Sequence, residues 1–343
     1  MCNILPLVLP KYNRFIERRE KMNRVCKQLG ISYPVIQGGM GNASNAPLTA
    51  AISNAGALGT IGVGTRSPSE VETLIAETAS KTEKPFAVNV PLAVASNLKE
   101  IFELIINHRV PVVSLSAGNP APYIPRLQAH GIKVMCVVGS VYHAKKAEDA
   151  GADVIVAEGY EAAGLNSPFE TTTMTLIPQV ADAINVPLVA AGGIGDGRGM
   201  AAAMVLGAEG VQLGTRFISV KEAPFHLRYQ EALIKAGDRD TMIVGRSVGR
   251  IRRVMRTPYS EQLLSCEENG ITLEEFNEVT AENRHLAGAM EGDFENGYIN
   301  SGQVAGLIKN VPSASELIQS IMEEASLALQ GQAEKTAQWQ NVK

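Results

Sequence analysis

The chain has 343 residues, 45% of them hydrophobic and 19% charged, with a formal net charge of -4. That composition gives a large apolar core and excludes a disordered chain or a basic nucleic-acid binder. No apolar run reaches the roughly 18–20 residues of a bilayer-spanning helix, and Cys2, Cys26, Cys136 and Cys266 form no CxxC pair, so reduced thiols in a cytoplasmic protein are expected.

Residues 1–22 read as an N-terminal extension. They lack the basic start and small-residue cleavage site of a signal peptide, and Met22 offers a second candidate start. From residue 23 short runs rich in Val, Ile and Leu recur, each followed by an amphipathic stretch. The runs are Tyr33–Gln37, Leu58–Gly62, Phe86–Val90, Val112–Leu115, Lys133–Val138, Val154–Ala157, Leu188–Ala191 and Gly210–Leu213. They are apolar on both faces, as parallel strands covered by helices must be. Helices are predicted over Pro47–Asn54, Ser69–Thr78, Asn97–Asn107, Ile124–His130, Val141–Ala150, Met174–Ala183 and Gly199–Leu206. Eight alternating units predict a TIM (β/α)8 barrel, with an open doubly wound sheet as the alternative.

After the eighth strand the pattern becomes polar. Residues 224–300 are expected to form a helical insertion, or cap, beside the barrel mouth. Residues 301–330 return to the barrel with the helices Ser301–Ile308 and Ser313–Leu329, and residues 331–343 read as a frayed polar tail. Within the insertion Arg246, Arg250, Arg253 and Arg256 recur at intervals of four, three and three, which places them on one face if the segment is helical. Such a face can attract a phosphate-bearing substrate, or simply be solvated.

Barrel chemistry sits at the C-terminal ends of the strands. Glycine clusters there are Gly38-Gly39-Met40 after the first strand, Gly192-Gly193 after the seventh and Gly214-Thr215 after the eighth. The last two lie where barrels hold phosphate groups on backbone N–H groups, with the Thr215 hydroxyl as a further donor; the alternative is tight turns alone. The GxGxxG spacing at Gly193–Gly199 follows strand seven, so a Rossmann reading is weak. Met40 can pack on an aromatic ring or merely on the core. Asn89, in an apolar strand, can bond a heteroaromatic ring edge or a neighbouring backbone group. Glu158 and Gln212 close apolar strands and can meet a polyol hydroxyl or a turn. No histidine pair has metal-ligand spacing, and no metal site is expected.

The segments PVIQGGM, AISNAGALGTIG, KPFAVNV, AEGYEAAG, TTTMTLIPQV, VPLVAAGGIGDGRG and LGAEGVQLGTRF, spread from about residue 23 to 329, resemble the nitronate monooxygenase (2-nitropropane dioxygenase) family, including the related flavin-type enoyl-ACP reductases. The resemblance implies a barrel binding FMN, its phosphate on Gly193, Gly214 and Thr215. Gly38, Gly39, Met40, Asn89, Glu158, Gly192 and Gln212 complete the cofactor site. It also implies oxidation of alkyl nitronates with O2. NAD(P)H-dependent reduction of an enoyl thioester or quinone is the alternative, with NAD(P)H as reductant. An FMN-binding protein with little turnover is an alternative of another class. The partners implied are a nitronate or an acyl thioester on acyl carrier protein, with no nucleic acid and no membrane; a homodimer is compatible with it.

One position departs from the family pattern. Where the family carries a histidine, in a run resembling EAGGH, this chain has Leu165. Leucine moves no proton, so Asn166, Ser167 and His143 remain as catalytic candidates. His108 and His130 read as solvated, and His226 and His285 lie in the insertion.

Overall fold

The computed structural model describes residues 23–338; the N-terminal extension and the last five residues lie outside it. Eight parallel strands form the wall: β1 (Val35–Gln37), β2 (Gly59–Gly62), β3 (Phe86–Pro91), β4 (Val112–Ser116), β5 (Lys133–Val138), β6 (Val154–Glu158), β8 (Leu188–Ala191) and β9 (Gly210–Leu213). A two-residue strand, β7 (Gly164–Leu165), interrupts the count within the loop after β6. The sheet order is β1-β9-β8-β6-β5-β4-β3-β2. It closes where Ile36 bridges Leu58, with Gln37 N–H donating to Leu58 O at 2.8 Å and Leu58 N–H to Val35 O at 3.0 Å. Closure leaves no unpaired edge, and the open sheet is excluded.

The period of two sorts the wall residues. Ile36, Leu58, Ala87, Val112, Met135, Val154, Val156, Val189 and Ala191 form one buried interior cluster. Their neighbours, such as Val35, Val88, Val113, Ile155 and Val211, pack outward against the helices. The helix α1 (Arg24–Leu29) contributes Val25, Cys26 and Leu29 to the interior cluster. A Cβ at Gly210, the first residue of β9, would meet Val25, so α1 plugs the N-terminal end.

The outer helices are α2 (Ala46–Asn54), α3 (Pro68–Lys81), α4 (Leu98–Asn107), α5 (Ile124–Ala129), α6 (Val141–Asp149), α7 (Thr173–Ala181) and α8 (Gly197–Val205). The short α9 (Thr215–Ile218) follows β9, after which the chain leaves the barrel. The 24-residue helix α14 (Ala314–Ala337) packs between α8 and α2 and fills the place of the eighth barrel helix. Its approach to α8 requires Gly197, where a Cβ would overlap Glu324 and Ala325; Gly197 N–H donates to Glu324 Oε2 at 2.9 Å. The helix runs past Gln330 to Ala337, so residues 331–337, expected to fray, are helical. The segment Ser301–Ile308, expected to be α-helical, holds a 3-10 turn over Gln303–Leu307.

The insertion is not purely helical. It contains α10 (Leu227–Lys235), α11 (Pro258–Glu268), α12 (Leu273–Val279) and α13 (Glu282–Glu291). Between α10 and α11 lies an antiparallel hairpin of β10 (Thr241–Val244) and β11 (Arg252–Met255), to which β7 adds a third strand. The arginines spaced four, three and three are therefore not on a helix. Arg253 lies within β11, Arg246 and Arg250 in the turn before it, and Arg256 just after it. Gly245 and Gly249 carry φ of +82° and +68° in that turn, values that glycine tolerates and that end a helix.

Candidate functional site

Alternation along the strands sets which polar groups face the barrel's open end. Ala87 belongs to the interior cluster, so Asn89 shares its face; Val154 and Val156 do the same for Glu158. Val211 and Leu213 face outward, so Gln212 faces in. Gly38–Met40, Asn89, Glu158, Gly192–Gly193, Gln212 and Gly214–Thr215 thus meet at the C-terminal mouth.

Each has a local reason for its place. The Asn89 amide nitrogen donates to Ser114 O at 3.2 Å, Ser114 Oγ at 3.3 Å and Ser116 Oγ at 3.2 Å. Its Oδ1 is left toward Gly39, where any Cβ would overlap the amide. Gln37 accepts from Thr60 N–H at 3.0 Å and sets its Nε2 4.0 Å from the Met40 sulfur, which fixes that side chain. Arg66, which the sequence pattern did not single out, clamps the loop after Met40: it donates to Gly41 O at 2.9 Å and Ser44 O at 2.8 Å, and to Asn42 O.

Gly192 and Gly193 have φ of +95° and +73°. A Cβ at Gly192 would come 2.8 Å from Gly159 O, so only glycine fits. Opposite them a Cβ on Gly214 would meet nothing within 4 Å, so its backbone faces open space. Thr215 begins α9, whose first N–H groups have no intrahelical acceptor. Its Oγ1 accepts from Gly302 N–H at 2.9 Å and keeps its own hydrogen to donate.

Glu158 stands apart. Among the described residues it has no hydrogen-bond partner, and burial alone pushes its carboxyl up to about 7. No neighbouring charge contributes to that shift.

The three catalytic candidates are less suited to proton transfer. Asn166 spends its amide nitrogen on Ala162 O and Gly164 O, both at 3.0 Å, and holds its own loop. Ser167 packs on Gly139 and accepts from Phe169 N–H at 3.3 Å. His143 is exposed at the start of α6, its Nδ1 3.0 Å from Ser140 Oγ and its ring centroid 6.4 Å from that of Phe169. Leu165 is 42% exposed, next to the exposed Phe169 in the same loop. His226 caps α10 and His285 stacks on Tyr298, so both serve the cap. Among the described residues no group of three or more His, Cys, Asp or Glu side chains is placed to hold a metal ion. No helix of the described residues is long and apolar enough to cross a membrane.

Three further residues tie the sixth loop to its surroundings. The Glu161 carboxylate accepts from Thr173 N–H at 2.9 Å and lies against Gly193, which joins the loop to the start of α7 and to the glycine turn. Arg253 donates twice to Tyr160 O, at 3.1 and 3.0 Å, and lies 4.7 Å over its ring. Arg246 pairs with Glu170 at 2.9 Å and bonds the Tyr160 hydroxyl. These partners lie far apart in sequence, and no local pattern announces them.

A family model described as nitronate monooxygenase matches residues 22–103 and 92–324. The (3aS,4S,5R,7aS)-5-hydroxy-7a-methyl-1-oxo-octahydro-1H-indene-4-carboxyl-CoA dehydrogenase of Mycobacterium tuberculosis is 34% identical, over 88% of this chain and 95% of its own. A probable nitronate monooxygenase of Staphylococcus saprophyticus is 33% identical, over 88% and 97%. Among solved structures FabK from Thermotoga maritima aligns with a TM-score of 0.86 and 39% identity, covering 93% of this chain and all of that one (100%).

Proposed function

Since the chain belongs to the nitronate monooxygenase family and is an oxidoreductase of that kind, we propose that it binds FMN at the barrel mouth and oxidises alkyl nitronates with O2. The observation that carries the substrate choice is the tip of the sixth loop. Leu165 occupies it, the Asn166 amide nitrogen is spent on Ala162 O and Gly164 O, and neither an amide nor a serine hydroxyl is a base at neutral pH. A nitronate is already an anion and needs no base, whereas a neutral nitroalkane must first lose a proton.

The residues present fit the cofactor. Gly192, Gly193 and Gly214 let backbone approach a phosphate closely, and the free hydrogen of Thr215 Oγ1 adds a donor. Gly39 admits the Asn89 amide where a Cβ would otherwise stand, which holds that amide at the mouth. Gln212 and the unpartnered Glu158 supply an amide and a carboxyl for the polar edge and the polyol chain. When bound, FMN supplies the two-electron chemistry. The protein's own residues would orient the substrate and hold the cofactor, with Met40 packing on its ring and the Glu158 carboxyl, raised to about 7, holding a proton near neutral pH. A small-molecule substrate and a cytoplasmic location go with this reading.

The test is oxygen consumption by the FMN-loaded protein with propyl-2-nitronate and with neutral 2-nitropropane. Turnover of the nitronate at least about tenfold faster is expected, and Leu165→His should raise the rate on the neutral compound by about tenfold or more while leaving the nitronate rate alone. Equal wild-type rates on both would sink the base-free reading.

A second reading is favoured by a different observation. Tyr142, Leu165 and Phe169 expose apolar surface along the same rim, as an acyl chain requires, and the relatives include a CoA-thioester dehydrogenase and FabK. Anaerobic bleaching of the flavin by NADH or NADPH, followed by reoxidation with an enoyl thioester, would support it.

A further inference from the structure

The cap hairpin carries Arg246, Arg250, Arg252, Arg253 and Arg256. Arg250 is exposed, and three of the others are accounted for. Arg246 pairs with Glu170, Arg253 with the Tyr160 carbonyl, and Arg256 with Glu261. Arg252 is not. Among the described residues no carboxylate forms an ion pair with it, and its Nε is buried without any hydrogen-bond partner. Its Nη1 makes one long bond, to Asn300 Oδ1 at 3.4 Å, and the Tyr298 side chain is its other polar neighbour. The guanidinium rests over the Tyr298 ring, 5.1 Å from its centroid, a contact that orients the group without satisfying its N–H donors.

The position of this under-used cation is set by the sheet. Arg252 pairs directly with Leu165 across the antiparallel ladder, so the two side chains share a face. Leu165 lies at the exposed tip of the sixth loop. On the other side Asn300 is held by the Tyr229 hydroxyl through its carbonyl, and Gly302 two residues on bonds Thr215. Arg252 therefore stands in the wall of the mouth, between the sixth loop and the strap that touches the Gly214–Thr215 turn.

We propose that Arg252 recognises a planar two-oxygen anion on the substrate. A guanidinium offers paired N–H donors in a rigid fork that fits a carboxylate, or a nitronate of the same shape. Nε is sealed by protein, so the ligand oxygens are taken at the Nη1–Nη2 end of the guanidinium, where only the long bond from Nη1 to Asn300 Oδ1 has to be given up. That the natural anion is a nitronate rests on the function proposed above; the anion site itself does not.

Isobutyrate is the probe, since it carries a planar two-oxygen head on the branched frame of propyl-2-nitronate and undergoes no reaction. Calorimetric titration of the FMN-loaded protein should show binding. Arg252→Gln should weaken it by about tenfold or more, and Arg252→Lys by about threefold or less. Leu165→Asp places a carboxylate opposite the guanidinium at an exposed position and should weaken isobutyrate as much, with FMN content unchanged; it decides the matter if Arg252→Gln does not fold. Wild-type protein that ignores isobutyrate, or Arg252→Gln or Leu165→Asp protein that binds it unchanged, overturns the proposal. Arg252-dependent isobutyrate binding with no oxygen uptake on propyl-2-nitronate keeps the anion site and removes the nitronate reading alone.

Discussion

The barrel wall and the cap hairpin enclose the same mouth by different means. In the wall, eight strands satisfy one another's backbone, and side chains such as Ile36, Leu58, Val154 and Val189 fill the interior with no polar contact. In the hairpin, a small core of Met242, Val244, Val254, Phe276 and Tyr298 is supplemented by arginines that reach across to the sixth loop. The wall depends on close packing, which tolerates no added volume. The hairpin depends on a few polar contacts at the rim, each of which can open at modest cost. The rigid floor thus suits a cofactor that stays, and the adjustable rim suits a substrate that comes and goes.

The sharpest way to break this comparison is in the wall. A Cβ at Gly59 in β2 would overlap the backbone of Thr49 in α2, and backbone cannot step aside. Gly59→Val should cost more than about 4 kcal/mol or leave insoluble protein, read by denaturant unfolding. A stable variant would show that strand and helix separate more easily than the packing implies.

At the floor of the mouth the effect is smaller and depends on pH. The Glu158 carboxyl is raised from 4.5 to about 7, so the folded state holds a proton that the unfolded chain releases. Stability from this group is full below pH 4.5 and is lost as pH rises to about 7. Glu158→Gln should therefore make the FMN-free protein more stable at pH 8, by up to about 3 kcal/mol, with the gap closing as pH falls to 4.5. Parallel stability curves for the two proteins across that range would refute the assignment.

The least costly change lies at the rim. Arg246→Ala removes a half-exposed pair with Glu170 and the bond to the Tyr160 hydroxyl. Global stability should fall by about 1 kcal/mol or less. Amide exchange in the turn Gly245–Arg250 should nevertheless speed up before any change in the wall. Equal exchange in both proteins would mean that the hairpin is held by its core alone.

All eight wall strands were legible because each is apolar on both faces and short. The glycines at their ends were legible because so few positions demand them. The hairpin was not. Its arginine spacing of four, three and three matches a helix as well as any true helix would, and strand pairing with Gly164–Leu165 depends on a segment some 90 residues away, a separation no local period encodes. Arg66, Glu161 and Arg252 were missed for the same reason, since a charged residue, in a loop or in a strand that no local period reveals, gives no sign of which carbonyl or ring it will meet.

The sequence alone encodes the barrel, its order of units and the glycine turns at the ends of its strands. These follow from periodicity and from the conformations open only to glycine. Tertiary structure alone decided that Glu158 has no partner among the described residues, that Thr215 keeps a hydrogen to give, and that Arg252 stands across from Leu165. Those are properties of distance and burial. They arise when remote segments are brought together, because desolvation and hydrogen bonding act through space and not along the chain.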